Sequence, residues 1–239
     1  MDLYKNLTEL RKRQAVLKQI STKVTMVAAI GDRLALSALT LAFEERNLVG
    51  AVTTEEEAVA SIRKHKPNFL FCTERLEQGY GISLIKRVEQ IDRSIKTLLL
   101  LERTSEAVVE EALSAGCDGL VNAHTIGEED AEFPDALHTV LKGGIYYPPS
   151  IRRISEVNAR KKGLTSVDLG LSLREKQVLQ GVCRGETNRE IAASLFLSPE
   201  TIKVCIQTIL VKLDARDRTH AAVIAIQRGF NLEQESPHG

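Results

Sequence analysis

Lys203, Val204 and Gln207 carry side chains of the kinds that read base edges in duplex DNA. Lysine can donate to guanine, glutamine can pair with adenine, and valine can touch a thymine methyl. Ile202, Ile206, Ile209 and Leu213 recur at three- and four-residue steps, which predicts a helix over 199–213 with a buried stripe. The three candidate readers then fall on a neighbouring face, free to meet bases. Thr187, Arg189, Ser198, Thr201, Thr208, Lys212 and Arg218 supply hydroxyls and cations that could hold phosphates. Such contacts set register more than sequence preference. Alone, an amphipathic helix of this kind would suit an ordinary small helical bundle with a solvated polar face.

The surrounding stretch, 172–230, supplies the elements that would position those groups. Ser172 with Glu175, and Thr187 with Glu190, have capping-box spacing: a hydroxyl for the first free amides and a carboxylate three residues on to reach back. Ser198-Pro199-Glu200 adds an N-cap, a proline at the first helical position and an acid in the first turn. Four short helices are predicted, the second and third joined by a tight turn. That is the helix-turn-helix arrangement, whose second member enters the major groove. Nine cations against six anions give the stretch a net charge of +3, the sign that phosphate binding needs.

Resemblance sharpens this reading. LSLREKQVL, Gly185, NREIA, LFLSPETIKV, ILVKL and DRTHAA are similar, without a gap, to the DNA-binding domain of the LuxR type found in NarL/FixJ response regulators. The resemblance implies that Lys203, Val204 and Gln207 face bases, and that the last helix, 218–228, pairs two protomers on DNA. One departure is Cys205, where members of the family often carry histidine. A thiol sensor could be built on it, although a lone cysteine is more often a small buried residue.

From Lys23 to Gly144, strand-like apolar runs alternate with helical patterns. Residues 24–30, 49–53, 69–73, 97–101 and 119–122 read as strands, with helices near 34–46, 55–64, 82–90, 105–115 and 131–141. Five βα units in succession predict a parallel, doubly wound sheet covered on both faces. Ligand sites in such folds lie outside the carboxyl ends of the strands. Pro67, Arg75-Leu76, Gly81, Ala115-Gly116-Cys117-Asp118-Gly119 and GGIYYPPSI (143–151) resemble the landmarks of a response-regulator receiver.

That register exposes departures from the receiver pattern. The phosphate-accepting aspartate expected at the end of the third strand is Thr73, and the Mg²⁺-holding acidic pair is Gly31 and Asp32. The switch hydroxyl falls on Leu101, and the lysine at Asn122 or Ala123. Attack on phosphorus needs the carboxylate, and the hard cation needs clustered carboxylates. The resemblance therefore implies a pseudo-receiver, with Thr73 at the degenerate acceptor position and Asp32 as the residual acidic group. Glu74, one residue on, is expected to point to the other side of the strand line.

The expected organisation is an N-terminal helix over 1–22, a receiver-like α/β domain over 23–145, a polar linker over 146–170, an all-α helix-turn-helix domain over 171–230, and a tail over 231–239. Leu3, Leu7, Leu10 and Leu17 make the first segment either a helix on its own domain or a short coiled coil. Within the linker a short helix near 151–159 is expected. The 239 residues suit two small domains, and a formal net charge of zero gives no global pull toward nucleic acid. Four scattered cysteines form no metal or disulfide pattern, and no apolar run matches a signal peptide or membrane span. The expectation is a cytoplasmic, non-enzymatic protein with no metal or cofactor. Double-stranded DNA carrying an inverted repeat is the expected partner, bound by a homodimer, with a protein or small-molecule input at the pseudo-receiver. A signalling adaptor, whose receiver-like domain binds a partner and whose DNA binding is weak or secondary, is the alternative.

Overall fold

The computed structural model describes residues 24–42, 47–125, 132–161, 163 and 169–230. The expectations for 1–22 and 231–239 lie outside them. In chain order the elements are β1 (Met26–Ala29), α1 (Arg33–Ala42), β2 (Leu48–Val52), α2 (Glu55–His65), β3 (Phe69–Thr73), α3 (Gly81–Ile91) and β4 (Lys96–Leu101). Next come α4 (Glu106–Ser114), β5 (Gly119–Asn122), α5 (Glu132–Leu141) and α6 (Pro149–Lys161). The last four are α7 (Leu173–Cys183), α8 (Asn188–Leu195), α9 (Pro199–Leu213) and α10 (Arg218–Gln227).

All five strands pair in parallel in the order β2-β1-β3-β4-β5, the doubly wound arrangement expected from the alternating pattern. Both faces are covered, so the central strands are apolar without alternation: β3 reads FLFCT and every residue in it is buried. The two-residue period instead sorts side chains between two cores. Met26, Ala28 and Ile30 belong to one core with Leu36, Leu137 and Val140, while Val27 and Ala29 belong to the other with Ile62, Ile85 and Val109. Thr54 caps α2 by accepting from the Glu57 amide at 3.3 Å.

The short helix expected near 151–159 within the polar linker is present and longer, as the thirteen-residue α6, which buries Ile151, Ser155 and Ala159. Its inward stripe is carried partly by a serine and an alanine, so the apolar signal in the sequence is weak.

The two domains share one continuous core, in which α10 packs on α7 and α9 of its own domain and on α6 and α4. Asp118, 6% exposed, holds the junction together. Its carboxylate accepts from Lys96 Nζ at 2.7 Å, the Thr97 amide at 3.0 Å and, across the domain boundary, Thr219 Oγ1 at 2.9 Å. Arg216 pairs with Glu89 at 2.8 Å, and Gln227 donates to Ser114 at 3.0 Å. Nearby the two backbones touch: a Cβ on Gly185, whose φ is +83°, would lie 2.3 Å from the Ile145 carbonyl oxygen. Glycine alone fits that combination of left-handed backbone and close approach. Among the described residues no single helix is long and apolar enough to cross a membrane.

Candidate nucleic-acid interface

The helix-turn-helix is built as its caps dictate. Thr187 and Glu190 complete a capping box at α8, with the Glu190 carboxylate accepting from the Thr187 amide at 2.6 Å. That contact holds the Glu190 carboxyl below the ordinary range. Phe196 then adopts a left-handed conformation, φ 55°, which stops α8. Ser198 restarts the chain as the N-cap of α9, accepting from the Thr201 amide at 3.1 Å, with Pro199 in the first turn. Between α8 and α9 the chain turns through 106°, within the range of helix-turn-helix pairs.

Helix α9 buries Ile202, Ile209 and Leu213, with Cys205 and Ile206 half-buried beside them. Its opposite face is open. Lys203, Val204 and Gln207 are exposed there, as their spacing predicted, and Thr208 is exposed beside them. Val204 is 61% exposed and Val211, seven residues on, is 82% exposed. Val211 extends the outward stripe by two turns and was not among the expected readers. An apolar residue at a bundle position normally signals core, so its exposure was not legible without the packing. A helix of this diameter fits the major groove, about 12 Å wide.

The expected phosphate-contact residues divide into two groups. Arg189, Ser198, Thr201 and Thr208 lie on the open surface, with Thr187 half-buried at the start of α8. Thr208 donates back to the Val204 carbonyl at 3.2 Å. Lys212 reaches sideways to Glu175 at 2.8 Å, which with the Ser172 amide holds the Glu175 carboxyl below its ordinary range. Arg218 turns inward: its guanidinium donates to Asn188 Oδ1 at 2.9 Å and to the Glu186 carbonyl, and burial pulls its pKa down. In this arrangement Arg218 ties α10 to the start of α8 and is not on the outer face. Burial, with Glu175 nearby, raises the Cys205 thiol, which opposes the thiolate a sensor needs.

At the carboxyl end of the sheet, Thr73 closes β3 beside Leu100 of β4, and Leu101 pairs with Asn122 at the end of β5. Thr73 Oγ1 accepts from the Gly31 amide at 3.1 Å and donates to the Arg75 carbonyl at 2.7 Å. Asp32 is exposed and caps α1 by accepting from the Ala35 amide at 2.7 Å. A Cβ on Gly31 would lie 2.5 Å from the Arg75 carbonyl oxygen, so backbone occupies the space where the first acid of the pair would stand. Glu77 is engaged by Arg33 at 2.8 Å and Thr53 at 2.6 Å. Glu74 is directed to another loop: fully buried, it accepts from the amides of Glu102 at 2.9 Å and Arg103 at 2.8 Å and from Arg103 Nε at 2.5 Å. Among the described residues no three His, Cys, Asp or Glu side chains gather in a way that could hold a metal ion.

Residues 169–225 match the model of the GerE family, bacterial regulatory proteins of the luxR family. The C-terminal domain is a luxR-family domain. Joined to the receiver-like sheet, the luxR-family domain gives the chain the layout of a NarL/FixJ-type response regulator. Similar curated proteins agree. The transcriptional regulatory protein LnrK of Bacillus subtilis is 28% identical over 202 residues, spanning 79% of this chain and 89% of LnrK. The response regulator VraR of Staphylococcus aureus is 26% identical over 198 residues, spanning 83% and 92%. Among solved structures, the RcsB response regulator of Salmonella typhimurium is 23% identical, covering 85% of this chain and 96% of that one with a TM-score of 0.48.

Proposed function

We infer that the protein is a sequence-reading transcription regulator that places α9 in the major groove of duplex DNA, one copy per half of an inverted repeat, as a homodimer. The observation that carries this reading is the open face of α9, where Lys203, Val204, Gln207, Thr208 and Val211 stand clear of the protein while Ile202, Ile209 and Leu213 anchor the helix. Lysine, glutamine and two valines offer guanine, adenine and thymine-methyl contacts. Arg189, Ser198 and Thr201 flank them with phosphate-holding groups at the starts of α8 and α9, where helix N-termini favour anions. The same exposed face favours DNA reading over a signalling adaptor, which has no use for it.

The receiver works without aspartyl phosphate. Thr73 supplies no carboxylate, its hydroxyl is committed to Gly31 and Arg75, and the Arg75 carbonyl fills the place of a cation ligand at position 31. Input then comes through a bound protein or small molecule.

The test is selection of preferred duplexes from a random pool, followed by affinity measurements on single-base operator variants. Lys203→Ala or Gln207→Ala is expected to cost about 1–3 kcal/mol and to relax preference at one position in each half-site. Affinities that do not vary among operators, in wild type and variants alike, would overturn the reading.

A further inference from the structure

A cavity of about 260 Å³ opens where the receiver, the connecting helix and the luxR-family domain meet. Its walls come from three elements: Val109 and Glu110 of α4, Ser155, Asn158 and Ala159 of α6, and Ile224, Gln227 and Arg228 at the end of α10. Val109 is 0% exposed, Ala159 1% and Ser155 5%, so the floor is buried and largely aliphatic with one hydroxyl, while Arg228 stands exposed at the mouth.

We propose that this cavity binds a small apolar L-amino acid, or a zwitterion of that shape, as the effector of the protein. The chemistry of the lining selects the class. A guanidinium grips a carboxylate through two parallel hydrogen bonds. The Glu110 carboxylate supplies the opposite charge for an ammonium, and the Asn158 amide can serve either group. Val109, Ala159 and Ile224 leave an aliphatic surface for a short side chain. The volume lies just under the usual range of ligand pockets, about 300–1,000 Å³, which suits on the order of ten non-hydrogen atoms.

Because the lining is shared between domains, occupancy is coupled to their arrangement. The ligand touches α4, α6 and α10 together only while they are docked, so it favours that state by its differential affinity. Helix α10 is the one that the luxR-family resemblance assigns to protomer pairing on DNA. Holding it against α4 and α6 lowers the affinity for the inverted repeat. This consequence rests on the DNA-reading function proposed above; the binding itself does not.

The test is calorimetric titration of the full chain with L-leucine, L-isoleucine, L-valine and L-phenylalanine, without DNA. Isovalerate and isopentylamine, which each lack one charge of leucine, serve as comparators. At least one amino acid is expected to bind, with both comparators weaker. Arg228→Ala and Glu110→Gln, both away from the buried core, are each expected to weaken binding about ten- to a hundredfold at an unchanged unfolding midpoint. No heat with any of the four, or an affinity that both variants leave intact, overturns the site. Duplex affinity is then measured with and without the bound amino acid, and a fall is expected. A chain that binds leucine but no duplex refutes the DNA-reading function and leaves the site standing.

Discussion

Replacing Thr219 by valine removes one hydroxyl from the domain junction and little else. The side chain is 8% exposed and its Oγ1 donates to Asp118 at 2.9 Å. A hydrogen bond to a charged acceptor contributes about 1.5–3 kcal/mol. Asp118 keeps Lys96 at 2.7 Å and the Thr97 amide at 3.0 Å, so the substitution does not strand its charge. The low end applies, about 1.5 kcal/mol, which is roughly tenfold in the equilibrium between docked and separated domains. The neighbouring Arg216–Glu89 pair makes the comparison: its side chains are 39% and 21% exposed, and solvent-screened pairs of this kind contribute below about 1 kcal/mol. Native-state hydrogen exchange reads the difference. Amides of α4 and α10 at the junction are expected to exchange roughly tenfold faster in Thr219→Val, and less than that in Arg216→Ala. Unchanged exchange in Thr219→Val, or an equal effect of both substitutions, would refute the claim that the buried carboxylate holds the domains together.

Two further outcomes follow from the same geometry. Lys212 and the Ser172 amide hold the Glu175 carboxyl below its ordinary range, so this group stabilises the fold above its unfolded-state pKa and loses that contribution as pH falls through the folded value. Glu175→Gln is expected to lower the denaturant midpoint near neutral pH and to flatten its decline below about pH 4.3; parallel curves would contradict this. Gly185→Ala is expected to destabilise by about 1–3 kcal/mol, since a Cβ there meets the Ile145 carbonyl oxygen at 2.3 Å on a backbone with φ +83°. A neutral result in urea unfolding would mean that the two backbones do not approach as described.

Much of this was legible in the residues, and the failures have physical causes. Runs such as FLFCT and KTLLLL, apolar on both faces, announce buried parallel strands, and the caps at Ser172, Thr187 and Ser198 sit in the structure where their spacing put them. The length of helix α6 was underestimated because its buried positions include Ser155 and Ala159, which carry little hydrophobic signal, and five of its thirteen residues are charged. Glu74 gave no hint of being buried, since its partner Arg103 lies 29 residues away. The Asp118–Thr219 contact spans 101 residues and two domains. Arg218 shows the limit most plainly. A cation at the head of a helix suits a phosphate contact, and only the packed neighbours Asn188 and Glu186 turn it inward.

The central claim is a DNA-reading regulator whose receiver takes no phosphoryl group. Its most direct test is incubation with acetyl phosphate and Mg²⁺, followed by intact mass and by affinity for a selected operator. An unchanged mass, with tight operator binding that the treatment does not alter, is the expected result. An acid-labile phosphoryl adduct that shifts operator affinity would contradict the account and return the protein to switching by aspartyl phosphate.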